Sequence, residues 1–195
     1  ALKIVNIGDC AVIESEFTLC GDNVKSKAID DRIGCAVLIE LLKSESEYDF
    51  YATFSVQEEI GTRGAKVACF SVNPDCALVL EATTADIADV PKDKNVCESG
   101  KGPAVSFMDR GTVYDKEFYN AALNSGISCQ PKRAVAGGNN SAAVHLSREG
   151  VRTLAISLPC RYIHSASCVA NTKDFKAMKD LTEYMLNGIA GGSIK

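Results

Sequence analysis

The chain has 195 residues, 46% of them hydrophobic and 24% charged, a globular composition with length enough for one domain with a real core, or that plus a small appendage. Its net charge of −4 argues against nucleic acid or an acidic membrane surface as partner. No apolar run reaches the roughly 20 residues that span a bilayer, and no basic-then-apolar signal opens the chain, so a soluble, cytoplasmic protein is expected.

In chain order, "ALKIVNIGDCAVIESEFTLCGDNVKSKA" alternates apolar and polar residues around Gly8-Asp9 and Gly21-Asp22, which predicts short strands and turns. In "DDRIGCAVLIELLKSE", Ile33, Val37, Leu38, Leu41 and Leu42 recur at helical spacing, with Asp30 and Asp31 suited to the helix N-terminus. "DFYATFSV" then reads as a buried strand, "TRGAKVACFSV" as a short helix behind it, and "CALVLEAT" as a second buried strand. Beyond a polar stretch holding Pro91 and Pro103, "DKEFYNAALNSG" reads as a helix and "SCQPKRAVAGG" as an edge strand, because Pro131 cannot donate to a ladder. "NSAAVHLSREG" predicts a helix closed by Gly150, and "VRTLAISLP" a strand. The last element, "TKDFKAMKDLTEYMLNGIAGG", lines Phe175, Met178, Leu181, Met185 and Ile189 on one helical face, with Gly188 or Gly191 to end it. Strands alternating with helices predict an α/β fold layered around a mostly parallel sheet.

Nine cysteines stand at positions 10, 20, 35, 69, 76, 97, 129, 160 and 168. Their number is odd, no CxxC occurs, and most lie in apolar runs such as "GCAVLIE", so reduced core thiols in a reducing compartment are expected.

The acidic residues fall where a crevice would form. Glu58 and Glu59 end one predicted strand and Glu81 ends the next; Asp30 and Asp31 begin the first helix, and His164 follows the last strand in "LAISLPCRYIHS". In open α/β sheets the carboxyl ends of strands line the ligand crevice, so these positions can converge. Carboxylates gathered there raise one another's pKa unless a cation intervenes. Three or four of them with an imidazole suit one or two divalent ions of the Zn, Co or Mn type. Two such ions about 3.5–4 Å apart share a carboxylate, and a further, unligated carboxylate is free to act as general base.

The stretches "KAIDDRIGCAVLIELL", "FSVQEEIGTRGAKVACF", "GKGPAVSFMDR" and "ISLPCRYIHS" resemble the M42 aminopeptidases, the glutamyl and deblocking aminopeptidase group whose members are often also labelled endoglucanases. The resemblance runs from about Val24 to the C-terminus with the motifs in family order. It implies a zinc-peptidase-like three-layer α/β/α sandwich around a mostly parallel mixed sheet, interrupted in the family by a smaller β-rich dimerisation domain. Residues 1–22 then correspond to the end of that inserted domain and residues 23–195 to the catalytic domain. Homo-oligomers, from dimers to hollow dodecamers, and peptide substrates are implied as well.

Position by position, the resemblance makes Asp30 the carboxylate that bridges two metals, Glu59 and His164 ligands of one, and Glu81 a ligand of the other. Glu58 matches the general base, which takes a proton from a metal-bound water and returns it to the leaving amine as the hydroxide attacks the peptide carbonyl. Arg161 and Tyr162 are positioned to orient His164 or contact the tetrahedral intermediate, with packing of the strand-end loop as the alternative. His145 matches no family ligand and reads as structural; Asp109 and Arg110 read as structural support.

Two departures from the family pattern stand out. The family's first metal ligand is a histidine in an HxD-type motif before the inserted domain; the chain shows no such motif, and neither His145 nor His164 sits in that context. The metal site that Glu81 shares with Asp30 is therefore expected to lack a ligand, while Asp30, Glu59 and His164 complete the other. In "AGGNNSAAVH", Asn139 and Asn140 replace the threonine and aspartate of the usual GGTDA, which removes a negative charge near the crevice and makes Asn140 a candidate substrate contact. The primary expectation is a metal-dependent aminopeptidase, with the chain alone binding at most one metal tightly and turning over poorly. A non-catalytic assembly or regulatory paralogue is the alternative. A glycan hydrolase is disfavoured, because two carboxylates opposed across a sugar need no histidine or acidic cluster.

Overall fold

A computed structural model describes residues 4–195; the start of the opening stretch, residues 1–3, lies outside them. Of the short strands expected there, one hairpin forms. β1 (Thr18–Cys20) and β2 (Asn23–Ser26) pair antiparallel across Gly21, which takes the left-handed backbone of the turn at φ 58°. A turn also forms before Gly8-Asp9's flank, where the Asp9 N–H donates to the Asn6 carbonyl, but no strand adjoins it. Ile7, Val12, Ile13 and Phe17 are left exposed.

α1 (Ile29–Lys43) buries Val37 and Leu41 and half-buries Ile33 and Leu38 against the core. Leu42, expected on the same face, is exposed, since five residues at helical pitch carry it about 140° round from Val37. The predicted strand "DFYATFSV" is not found. Residues 49–56 form neither helix nor strand, and Tyr51, Phe54 and Val56 are exposed. A strand exists only where a neighbour takes its alternate N–H and C=O groups, and among the described residues no strand pairs with this run.

α2 (Arg63–Val72) and β3 (Cys76–Thr84) follow as expected. Next come β4 (Ala104–Val105) and α3 (Lys116–Leu123), which is capped by the Asp115 side chain accepting the Glu117 and Phe118 N–H groups. β5 (Gln130–Pro131) is an edge strand, as Pro131 implied. α4 (Ser141–Val144) is a single turn rather than the longer helix expected, because the chain tightens to i→i+3 bonds at Ser147 and Gly150. β6 (Arg152–Arg161), the unpredicted β7 (Cys168–Asn171) and α5 (Thr172–Ala190) complete the chain.

The seven strands form one mixed sheet in the order β1-β2-β7-β6-β4-β5, with β3 on the other edge of β6. Its longest ladder, β3 with β6 from Cys76 to Thr84, is parallel, as is β4 with β5; the remaining pairs are antiparallel. β6 lies at the centre. Its Leu154, Ile156 and Leu158 are wholly buried against Val37 and Leu41 of α1, Phe118 of α3, and Met178, Leu181 and Met185 of α5. The alternate residues Thr153, Ala155 and Ser157 face the opposite side, where Ala65 and Cys69 of α2 meet Val144 by α4 in a much smaller cluster. This is an α/β fold of three layers, with one large apolar core and one thinner, more polar face. Leu78, Leu80 and Ala82 of β3 join the large core, so Glu81 points to the polar face.

No helix among the described residues is long and apolar enough to cross a membrane. All nine cysteines are free thiols; Cys69, Cys97, Cys160 and Cys168 are buried, whereas Cys10 and Cys20 are exposed rather than in the core.

Candidate metal centre

Three separate elements bring Asp30, Glu59 and His164 together. Asp30 stands in the first turn of α1, Glu59 in the turn before α2, and His164 in the loop after β6. The His164 Nε2 is 3.1 Å from Asp30 Oδ2 and 3.4 Å from Glu59 Oε1, and one ligand atom from each of the three lies within 4.8 Å of the others. They line a crevice of about 320 Å³ together with Ala28, Ser165 and Cys168.

The opening of α1 is not regular helix. Asp30 (φ −80°, ψ 112°) and Asp31 (φ −119°, ψ 48°) depart from helical backbone, and the peptide between them is cis. Asp31 acts as the effective cap instead, its Oδ1 accepting the Gly34 N–H at 2.9 Å. Gly34 has no side chain, and a Cβ there would collide with the Asp31 carboxylate.

Glu58 and Glu59 leave one tight turn, in which the Glu58 carbonyl accepts the Gly61 and Thr62 N–H groups at 3.0 and 2.9 Å. Glu59 is exposed and reaches His164; Glu58 is half-buried. Burial, then the charges of Glu59 and Asp30, raise the Glu58 pKa above the usual carboxylate range. Burial and Glu59 raise Asp30 in the same way, with His164 opposing them.

Glu81 stands apart from the trio. It is 5% exposed on β3, and its Oε1 accepts the Asn140 N–H at 3.3 Å. Burial, then the Asp31 charge, push its pKa up to about 9; burial likewise pushes Asp31 up to about 8. In the sequence Asp31 reads only as a helix-end acid. Its adjacency to Asp30 is the available signal that it belongs to a second acidic group with the buried Glu81 and the half-buried Glu58.

Arg161 and Tyr162 contact each other. An Arg161 Nη2 donates to the Tyr162 hydroxyl at 3.0 Å, and the guanidinium lies 4.9 Å from the ring centroid. The Arg161 Nε is buried without a partner among the described residues. Asn139 is tied into a buried network, donating to Asp109 Oδ2 and the Tyr114 hydroxyl. Asp109 also accepts the Gly111 and Thr112 N–H groups, a structural role. Asn140 keeps a buried Oδ1 with no hydrogen-bond partner among the described residues. His145 Nδ1 lies 2.7 Å from the Ser141 carbonyl one turn back, which is a structural contact as well.

The donor set fits a divalent cation. Two carboxylates and one imidazole from three elements converge without any Lys or Arg among them, and Asp30 is held partly buried beside a like charge. A cation of the Zn, Co or Mn class relieves that repulsion, and the mixed oxygen and nitrogen ligands suit it.

The sequence profile of a family described as M42 glutamyl aminopeptidase matches residues 1–181. A glutamyl aminopeptidase of Lactococcus lactis subsp. cremoris is 34% identical over 177 residues, which cover 86% of this chain and 49% of that protein. The solved structure of an aminopeptidase from the archaeon Desulfurococcus kamchatkensis matches with a TM-score of 0.91 at 30% identity, over 98% of this chain and 57% of that one. The TET1 peptidase of Pyrococcus horikoshii, described as assembling into a tetrahedron or a large octahedral shell, matches with a TM-score of 0.76 at 28% identity, over 95% and 56%. The chain spans about half the length of the curated relatives it matches.

Proposed function

This chain belongs to the M42 glutamyl aminopeptidase family, and from that premise we propose that it acts as a metal-dependent aminopeptidase in which Glu58 moves the proton. The observation that carries this reading is the convergence of Asp30, Glu59 and His164 in one crevice, with Glu58 the immediate neighbour of Glu59. Asp30, Glu59 and His164 would hold one divalent ion, and Asp30 and Glu81 would contribute to a second. A cation of the Zn, Co or Mn class, when bound, supplies Lewis acidity that polarises the peptide carbonyl and acidifies water. Glu58 takes the proton of the attacking water on its carboxylate and returns it to the leaving amine; its raised pKa favours that two-way transfer. Arg161 and Tyr162, three and two residues before His164 and in contact with each other, orient His164 or contact the tetrahedral intermediate, and Asn140 lies against Glu81.

Glu58→Gln keeps the size of the side chain and removes the base. Hydrolysis of an aminoacyl-p-nitroanilide should fall about 10²–10⁴-fold while bound metal, measured by mass spectrometry, stays the same. Undiminished turnover in that variant excludes Glu58 as the base.

A second reading is favoured by the separation of Glu81 from the trio: a chain that retains the fold but has one metal position incomplete, and so works as an impaired or assembly-type member. It predicts at most one tightly held divalent ion per chain after dialysis against Co or Zn. Two ions per chain with brisk turnover would sink it.

Residues 1–22 are assigned to the returning end of an inserted β-rich dimerisation domain and residues 23–195 to the catalytic domain. Exposed Ile7, Val12, Ile13 and Phe17 on the former support a homo-oligomer, and free thiols throughout suit the cytoplasm.

A further inference from the structure

We propose that Cys160 and Cys168 are a redox-sensitive thiol pair, which peroxide joins into a disulfide that disturbs the loop holding His164 and so weakens the metal centre. The two residues close that loop at its base, Cys160 near the end of β6 and Cys168 as the first residue of β7. In the antiparallel ladder Cys160 lies opposite Ala170. Cys168, two positions before Ala170, is therefore its diagonal neighbour on the same face of the sheet. Both thiols are in the large core, at 0% and 1% exposure. Burial, then the neighbouring Cys168 sulfur, push the Cys160 thiol up to about 12. Cys168 differs from its partner in one respect: it also lines the crevice with Asp30, Glu59 and His164.

That difference sets the order of the chemistry. Peroxide entering the crevice transfers an oxygen to the Cys168 sulfur, giving a sulfenic acid and one water. The Cys160 sulfur attacks the oxidised sulfur, the S–S bond forms, and the sulfenic oxygen leaves with the Cys160 proton as a second water. Cys160 is too strongly held as a thiol to react by itself, and takes part because the fold places it against its partner. The product reaches His164 through hydrogen bonds. The Cys168 thiol shares its proton between the carbonyls of Tyr162 at 3.3 Å and Ser165 at 3.4 Å, one on each side of His164. A disulfide has no S–H, so both contacts are lost. The loop they hold is not a relaxed one, since Tyr162 and His164 take left-handed backbone at φ 55° and 60°. Diagonal neighbours also stand farther apart than a disulfide allows, so bridging draws the start of β7 towards β6 and moves the loop with it.

The link to metal affinity rests on the metal-dependent reading of the site, whereas the cross-link itself does not, and the test keeps the two apart. The 195-residue chain is treated with hydrogen peroxide in the presence of chelator, then digested with trypsin without reduction. Cleavage after Arg152, Arg161 and Lys173 puts Cys160 and Cys168 in separate peptides, 153–161 and 162–173, which mass spectrometry should find joined. After removal of chelator, zinc affinity of the oxidised chain, measured by competition with a chromogenic chelator, should be about 10–100-fold weaker than that of the reduced chain. Dithiothreitol should restore it. Cys160→Ala should leave Cys168 as a sulfenic acid that dimedone labels. Absence of the 153–161 to 162–173 link in the wild type, or oxidation confined to the exposed Cys10 and Cys20, overturns the proposal. A link that leaves zinc affinity unchanged overturns the coupling to His164. If the reduced chain binds no zinc, the metal-dependent reading fails and the peptide map alone decides the thiol pair. If Cys160→Ala does not fold, the wild-type map decides.

Discussion

Glu58 and Glu59 leave the same turn for different surroundings, and that difference separates their chemistry. Glu59 is exposed and reaches the His164 imidazole, whereas Glu58 is half-buried and holds its proton more tightly than a free carboxylate. The deeper acids behave more strongly. Glu81 is raised to about 9 and Asp31 to about 8, both first by burial, so the native state binds protons that the unfolded chain releases near pH 4. Stability from these groups is complete below pH 4 and is lost as the pH rises through about 8 to 9. With chelator present, the melting temperature should decline from pH 5 to 9. Glu81→Gln should flatten that decline and raise the midpoint at pH 8 by several degrees, roughly 2–4 °C per kcal/mol recovered. An equally steep decline in the variant would show that Glu81 is not the group responsible. The candidate acids were legible from where they stand relative to predicted strands and helices. Their division into a trio at the crevice and deeper acids around Glu81 was not, because burial depends on segments far away in sequence.

Helices show best how far local pattern reaches. α5 and α1 carry their apolar faces in the spacing of Met178, Leu181 and Met185 and of Val37 and Leu41, and all five are buried. α3 begins at a cap of the expected chemistry. Asp115 accepts two backbone N–H groups and pairs with Arg152 at 2.7 Å, so Asp115→Ala should cost about 1–2 kcal/mol in urea unfolding. A midpoint equal to wild type would mean that neither contact matters in solution. Strands are less legible. β4 and β7 are two and four residues long and offer no period to detect, while "DFYATFSV" has the composition of a strand but pairs with no strand among the described residues. The hairpin at Gly21 was readable because its turn residue is local.

At the scale of the whole molecule, β6 organises everything. It sits between β3 and the β4 and β7 strands, separates a large apolar core from a thin polar face, and ends next to the loop that delivers His164. Glu81 is on the polar face because β3 is parallel to β6 with its even-numbered side chains in the core. The amino-acid sequence by itself determined the α/β class, the helices with regular apolar spacing, the family, and the small set of residues from which a metal centre can be built. These rest on local spacing and on motifs that persist in order along the chain. Tertiary structure alone decided which acids meet His164 and which become buried with raised pKa. Hydrogen-bond ladders, burial and charge repulsion are properties of neighbours in space, and no single stretch of sequence contains its neighbours.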